Sequence, residues 1–128
     1  MPVITGLYAA LAALLVVFLG YRVAAVRLVR QIALGAGGDR MLEQRMRVHG
    51  NAVEYLPLAL LQLALLELTG HAGWIVHLCG AVLIVSRLLH AWGLSRHYGK
   101  SVGRLLGIVG TWGVMMAMAV LLLVRFAA

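Results

Sequence analysis

The chain has 128 residues, of which 63% are hydrophobic and 12% are charged. Soluble domains average about 45–50% apolar and about 25% charged residues, so this composition excludes an ordinary soluble domain and predicts a protein that lies in lipid. The net charge is +7, but the arginines flank apolar segments, which is typical of membrane topology signals and argues against nucleic acid as a partner.

The first apolar segment covers residues 2–21. It is long enough to cross a bilayer, which takes about 20 helical residues. No basic segment precedes it, so we interpret it as a membrane span and not as a signal peptide. It continues into a helical tail with three arginines, which we expect to end at Gly35, Gly37 and Gly38.

The second helix is expected to begin at about residue 39, with Asp39 as its N-cap, and to cross the membrane over residues 51–68. Pro57 lies inside this span. We predict a kink there but no break, because neighbouring helices can satisfy the carbonyl that a proline leaves unpaired.

Two further spans follow, at residues 74–94 and 105–124, separated by a polar loop. The third contains Arg87, His90 and the one cysteine, Cys79, which we interpret as a small buried residue because no metal-ligand spacing surrounds it. Small residues recur at spacings of three and four in the fourth span and predict close helix packing; they are Gly107, Gly110, Gly113 and Ala117.

These elements predict one domain, residues 1–128, with an all-α membrane fold: a four-transmembrane-helix up-down bundle. Arginine and lysine concentrate in the first and third links, and the second link has none. The positive-inside rule therefore places those two links in the cytoplasm and both termini outside it.

The polar residues of the second helix share one face. At 100° per residue, Glu43, Arg47, Asn51 and Glu54 fall within roughly a third of the circumference. A charged residue inside a span normally faces a bundle interior or a wet cavity and has a partner. This stripe is therefore the candidate site, whereas His49 lies on the opposite face and is interpreted as a packing residue.

Two interpretations of Glu54 remain open. It could form a buried ion pair with Arg87 that fixes the helix register. Alternatively, the site holds an anionic ligand, because one carboxylate cannot balance the surrounding cationic and amide donors, namely Arg27, Arg30, Arg47, Asn51, Arg87 and Arg104.

The segment from Arg47 to Pro57, RVHGNAVEYLP, resembles the signature of the membrane-associated proteins in eicosanoid and glutathione metabolism, the MAPEG family. The segment Arg87 to Gly93, RLLHAWG, is similar to the family's next block. The resemblance implies a homotrimer that binds glutathione between neighbouring subunits near the cytoplasmic leaflet. Members of this family conjugate glutathione to lipophilic electrophiles, reduce lipid peroxides or isomerise lipid endoperoxides, and a few bind lipids without catalysis.

The resemblance also implies roles for individual residues. Arg47 matches an arginine that holds a glutathione carboxylate, Asn51 an amide that orients the peptide, and Glu54 an acid that meets its amino group or a backbone N–H. Arg104 matches the arginine proposed to stabilise the thiolate and is the candidate catalytic residue. Further ligand contacts are implied for Arg27, Arg30, Tyr55, Arg87 and His90, and no metal site is expected.

One departure concerns residue 94. Family enzymes commonly carry a tyrosine one turn after His90, where this sequence has Leu94; Tyr98, one turn further, is the candidate substitute. We therefore consider two functions: a glutathione-dependent transferase or peroxidase acting on lipophilic substrates from the membrane, and a non-catalytic trimer that binds a lipid or another ligand.

A small proton-coupled exporter is a third function that four short helices would suit. Such exporters typically carry an acid in the first helix, and here that helix has none. The expected location is a bacterial inner membrane.

Overall fold

The computed structural model describes residues 1–128, and it consists of four long helices without strands. They are α1 (Val3–Arg30), α2 (Arg40–Leu68), α3 (Gly73–Arg96) and α4 (Val102–Ala127). Each is long and apolar enough to cross a membrane. The predicted all-α, four-span membrane fold is confirmed.

Helix α1 ends earlier than expected, so the first link is longer than the sequence predicted. We expected α1 to continue to Gly35, but it ends at Arg30, because Gln31 adopts a left-handed conformation with φ of 53°. Arg27 Nη1 then donates to the carbonyls of Ile32, Ala33 and Gly35. The freed carbonyls of the link are thus satisfied by the arginine of the last helical turn.

The other helix ends follow the sequence more closely. Asp39 caps α2 as predicted, accepting a hydrogen bond from the Leu42 amide at 2.9 Å. The helix runs through Pro57 without a break. The third link is shorter than the predicted 95–104 loop, since α4 starts at Val102, where the Ser101 hydroxyl caps it through the Arg104 amide.

The four helices do not close into a ring. Helices α2 and α3 occupy the middle, with α1 and α4 on either side, and α1 makes no contact with α4. The most apolar 18-residue stretch of α3 is 44% buried, whereas the corresponding stretches of α1 and α4 are 22% buried each. Most of the apolar surface of the two outer helices is therefore exposed in the four-helix bundle.

The α3–α4 contact depends on glycine, as the stripe of small residues predicted. A Cβ on Gly107 would overlap the backbone of His90, and one on Gly110 would overlap the Ser86 hydroxyl. Gly113, by contrast, has open space around it. The prediction of close packing is therefore right for the first two glycines of the stripe and wrong for the third.

At the opposite end of the bundle, Glu67 completes the first turn of α1. Pro2 provides no side-chain cap for that helix. The Glu67 carboxylate instead accepts from the amides of Ile4 and Thr5, at 2.9 and 2.7 Å, and from the Thr5 hydroxyl. A carboxylate at a helix N-terminus pairs the free amides and complements the helix dipole. Nothing in our reading of the sequence identified this role for Glu67.

Candidate functional site

A cavity of about 300 Å³ opens between α2, α3 and α4 at the arginine-rich end of the bundle. Its walls carry three guanidinium groups and one carboxylate. The lining residues are Arg40, Glu43, Gln44, Arg47, Asn51, His90, Leu94, Tyr98 and Arg104. The structure thus brings together Arg47, Asn51, His90 and Arg104, which the sequence assigned to one site.

The α2 wall of the cavity follows from helical periodicity. Glu43, Arg47 and Asn51 recur every four residues and therefore project from one face. Glu54 continues this face but does not line the cavity. Its Oε1 lies 3.7 Å from Arg47 Nη1, and both side chains are more than half exposed. Such exposed ion pairs stabilise a fold by about 0–1 kcal/mol, so a ligand can displace this one at little cost.

Arg87 has a different partner from the one considered above. The expectation of a buried Arg87–Glu54 ion pair is wrong: Arg87 is 2% exposed and donates to Asn51 Oδ1 and to Thr111 Oγ1, both at 2.8 Å. A third contact runs to the Gly107 carbonyl at 3.4 Å. These neutral acceptors satisfy the guanidinium without a carboxylate.

This network fixes the orientation of the Asn51 amide. An arginine side chain has only donors, so the Asn51 oxygen must face Arg87 and the NH₂ group is left as a donor. Arg87 therefore does not line the cavity but orients Asn51, which does. Tyr55 is also outside the cavity, with its ring centroid 5.3 Å from the Arg87 guanidinium carbon.

The remaining walls come from α3, the third link and α4. Arg104 lies in the first turn of α4 and is exposed at the cavity edge. Leu94, at the position of the family tyrosine, is buried on the wall. Tyr98, the proposed substitute, also lines the cavity, and the Arg40 guanidinium lies 4.9 Å from its ring centroid.

Sequence reasoning missed Gln44 as a cavity residue. Its Nε2 donates to the Leu94 carbonyl at 2.7 Å and ties α2 to the end of α3. The spacing contained the signal, because Gln44 lies three residues before Arg47 and therefore on an adjacent part of the same helix face.

Arg27 and Arg30 do not reach the cavity. Arg27 is engaged with the first link, and Arg30 Nε lies 3.2 Å from Asp39 Oδ2. Both belong to α1, which contributes no residue to the cavity.

Comparison with known proteins gives an independent result. The model of the MAPEG family matches residues 5–124. The inner membrane protein YecN of Escherichia coli K12 is 37% identical over 115 residues, which cover 90% of this chain and 86% of that protein. YecN from the O6:H1 strain of E. coli matches to the same extent. The chain therefore belongs to the MAPEG family.

Proposed function

We propose that this protein binds glutathione in the cavity and acts as a membrane transferase or peroxidase on lipophilic electrophiles or lipid hydroperoxides. The observation that carries the proposal is the convergence of Arg47, Asn51 and Arg104, from two helices, on one small polar cavity in a membrane protein. Glutathione is the co-substrate, and the second substrate enters laterally from the bilayer.

The chemistry of the cavity suits this ligand. Glutathione has two carboxylates, which arginine binds through paired charge-assisted hydrogen bonds. It also has an ammonium group, for which the carboxylate of Glu43 on the cavity wall, and that of Glu54 beside Arg47, are complementary. The NH₂ group of Asn51 is held ready to donate to a peptide carbonyl. A thiol near Arg104 would be favoured in its charged, nucleophilic form.

Homotrimer formation is part of the proposal. A volume of about 300 Å³ is at the small end of the roughly 300–1,000 Å³ of ligand pockets, and α1 does not close it. A neighbouring subunit could supply the missing wall and bring its Arg27 or Arg30 to the ligand. This arrangement would explain why α1 and α4 leave so much apolar surface exposed within one subunit.

A non-catalytic binding protein is the second candidate, and Leu94 favours it. This residue places an apolar side chain where a hydroxyl would otherwise contact the ligand. Among the residues that line the cavity, Tyr98 alone carries a hydroxyl group. Conjugation of glutathione to a generic aromatic electrophile distinguishes the two functions, because a binding protein would not accelerate it.

Native mass spectrometry in mild detergent tests both binding and assembly. We expect a trimer that retains glutathione, and we expect Arg47→Ala to weaken binding by about 1.5–3 kcal/mol, the range of a hydrogen bond to a charged group. The matched control is His49→Ala, because the His49 ring lies beside Gly20 of α1, away from the cavity.

Two outcomes would contradict this proposal. Equal losses for the Arg47 and His49 variants would show that the helix face is not the binding surface. A monomer that binds glutathione as tightly as the wild-type assembly would show that the site needs no neighbouring subunit.

We also propose that the protein lies in a bacterial inner membrane, as the name of the E. coli relatives states for them. Arg and Lys are concentrated in the helix ends that flank the first and third links, and this excess should hold both links in the cytoplasm. A reporter that is active only in the cytoplasm should therefore remain inactive when fused to the C-terminus; activity there would reverse the orientation.

A further inference from the structure

A second concave surface lies between α1 and α3, and it shares no residue with the cavity described above. This groove has a volume of about 360 Å³. Its walls are apolar and include Phe18 and Leu19 of α1 and Leu88 and Trp92 of α3. Phe18 and Trp92 are both more than half exposed, so the groove is open at the surface of the four-helix bundle.

The arginine-rich end of the groove is polar. Arg22 and Arg96 line it there together with Ser95, and Arg22 Nη1 donates to the Ser95 hydroxyl at 3.0 Å. The Arg96 guanidinium carbon lies 5.1 Å from the Trp92 ring centroid, which holds that charge against the groove wall. Arg45 Nη1 donates to the Arg22 carbonyl at 2.9 Å, so a further cation lies near Arg22, although Arg45 does not line the groove.

No carboxylate balances these charges. The chain has four acidic residues, and none of them lines the groove. Asp39 pairs with Arg30 and Glu54 with Arg47. Glu43 lines the other cavity, and Glu67 caps α1 at the opposite end of the bundle. Arg22 and Arg96 therefore line a groove that has no carboxylate on its walls, so their positive charge is uncompensated there.

The groove has the polarity and dimensions of a lipid. From Leu15 to Arg22 it follows α1 for seven residues, or about 10 Å along the helix axis. An apolar channel of that length, with cations at one end, matches the upper part of an acyl chain and a negatively charged headgroup. Basic pockets between transmembrane helices bind anionic headgroups in this way.

We propose that the α1–α3 groove is a binding site for an anionic glycerophospholipid, with the headgroup phosphate on Arg22, Ser95 and Arg96 and an acyl chain between Phe18 and Trp92. A zwitterionic lipid has the same acyl chains, but its ammonium group is repelled by the guanidinium cluster. The site therefore selects for headgroup charge, and about fivefold selectivity is expected for each arginine near the membrane surface.

Trp92 provides a direct reporter of occupancy. The other two tryptophans, Trp74 and Trp112, lie outside the groove and can be replaced by phenylalanine. The protein is reconstituted in vesicles of unlabelled phosphatidylcholine. One of two quenching lipids is added in increasing fractions: phosphatidylglycerol or phosphatidylcholine, each brominated near the headgroup. We expect brominated phosphatidylglycerol to quench Trp92 at a mole fraction at least about fivefold lower than brominated phosphatidylcholine does.

The variants identify the headgroup contacts. Arg22→Gln should reduce the ratio between the two lipids, and Arg22→Gln with Arg96→Gln should abolish it, while quenching by phosphatidylcholine persists and shows that the fold is intact. Lys100→Gln is the matched control. It removes a cation at the same end of the bundle but outside the groove, so the ratio between the two lipids should not change. Arg22→Gln alone leaves the Arg96–Trp92 contact in place, so a fluorescence change from that contact cannot imitate its effect.

Three results would overturn the proposal: equal quenching by the two lipids, a ratio that the arginine variants leave unchanged, and a Trp92 that neither lipid quenches. The last result would assign the groove to a contact with a second copy of the chain.

Discussion

Replacing Gly107 by alanine should lower the free energy of unfolding by up to about 2 kcal/mol, because adding atoms to a packed interior usually costs about 1–3 kcal/mol and the helix propensity of alanine returns about 1 kcal/mol of it. The new Cβ would overlap the backbone nitrogen and Cα of His90, and backbone atoms cannot rotate away. Helix α4 must therefore move away from α3. The alanine would gain about 1 kcal/mol of helix propensity over glycine, which is too little to offset the overlap.

The damage should extend to the candidate site. The Gly107 carbonyl accepts from Thr111 Oγ1 at 2.8 Å and from Arg87 Nη2, so separating the helices disturbs the network that orients Asn51. Thermal unfolding in mild detergent measures the loss. The matched control is Gly113→Ala, which has open space around the new methyl group and should retain or slightly raise the midpoint. Equal midpoints for the two variants would show that α3–α4 contact does not limit stability.

Replacing Arg104 by alanine should reduce turnover about tenfold or more while glutathione affinity stays within a few-fold. This prediction depends on the proposed function. The thiol of a free cysteine has a pKa of about 8.5, and Arg104 at the cavity edge should lower the pKa of a bound thiol by favouring the thiolate. One pKa unit corresponds to about 1.4 kcal/mol, or tenfold, and the thiolate is the nucleophile.

The ultraviolet absorbance of the thiolate, followed across pH in the glutathione complex, reports that pKa directly. Lys100→Ala is the control, since this lysine lies in the third link, four residues before Arg104, but does not line the cavity. Identical thiol pKa values in wild type and Arg104→Ala would exclude Arg104 as the activating group. If neither protein forms thiolate near neutral pH, the non-catalytic binding function is the better explanation.

The sequence predicted the number, type and approximate limits of the helices because each signal was local. Apolar length identified the spans, Asp39 identified the start of α2, and four-residue spacing placed Arg47 and Asn51 on one face. The convergence of these residues with His90 and Arg104 also follows from four antiparallel helices and short links.

The partners of individual charges could not be predicted in this way. Arg87 was an apparent partner for Glu54 because both lie in apolar spans, but pairing depends on how the helices are rotated about their axes. The rotation that brings Gly107 against His90 directs Arg87 toward Thr111 and Asn51. Neutral acceptors on two other helices then satisfy the guanidinium, which a count of formal charges does not reveal.

The carboxylate cap on α1 has a consequence for biosynthesis. The amides of Ile4 and Thr5 donate their hydrogen bonds to Glu67, a residue more than sixty positions later in the chain. When the first span enters the membrane, that residue has not yet been inserted, and these amides depend on water at the bilayer surface. The first turn of α1 therefore gains its final hydrogen-bond acceptor only after α2 has crossed in the reverse direction. The α1–α2 hairpin, and not α1 alone, is the smallest segment in which these amides are paired.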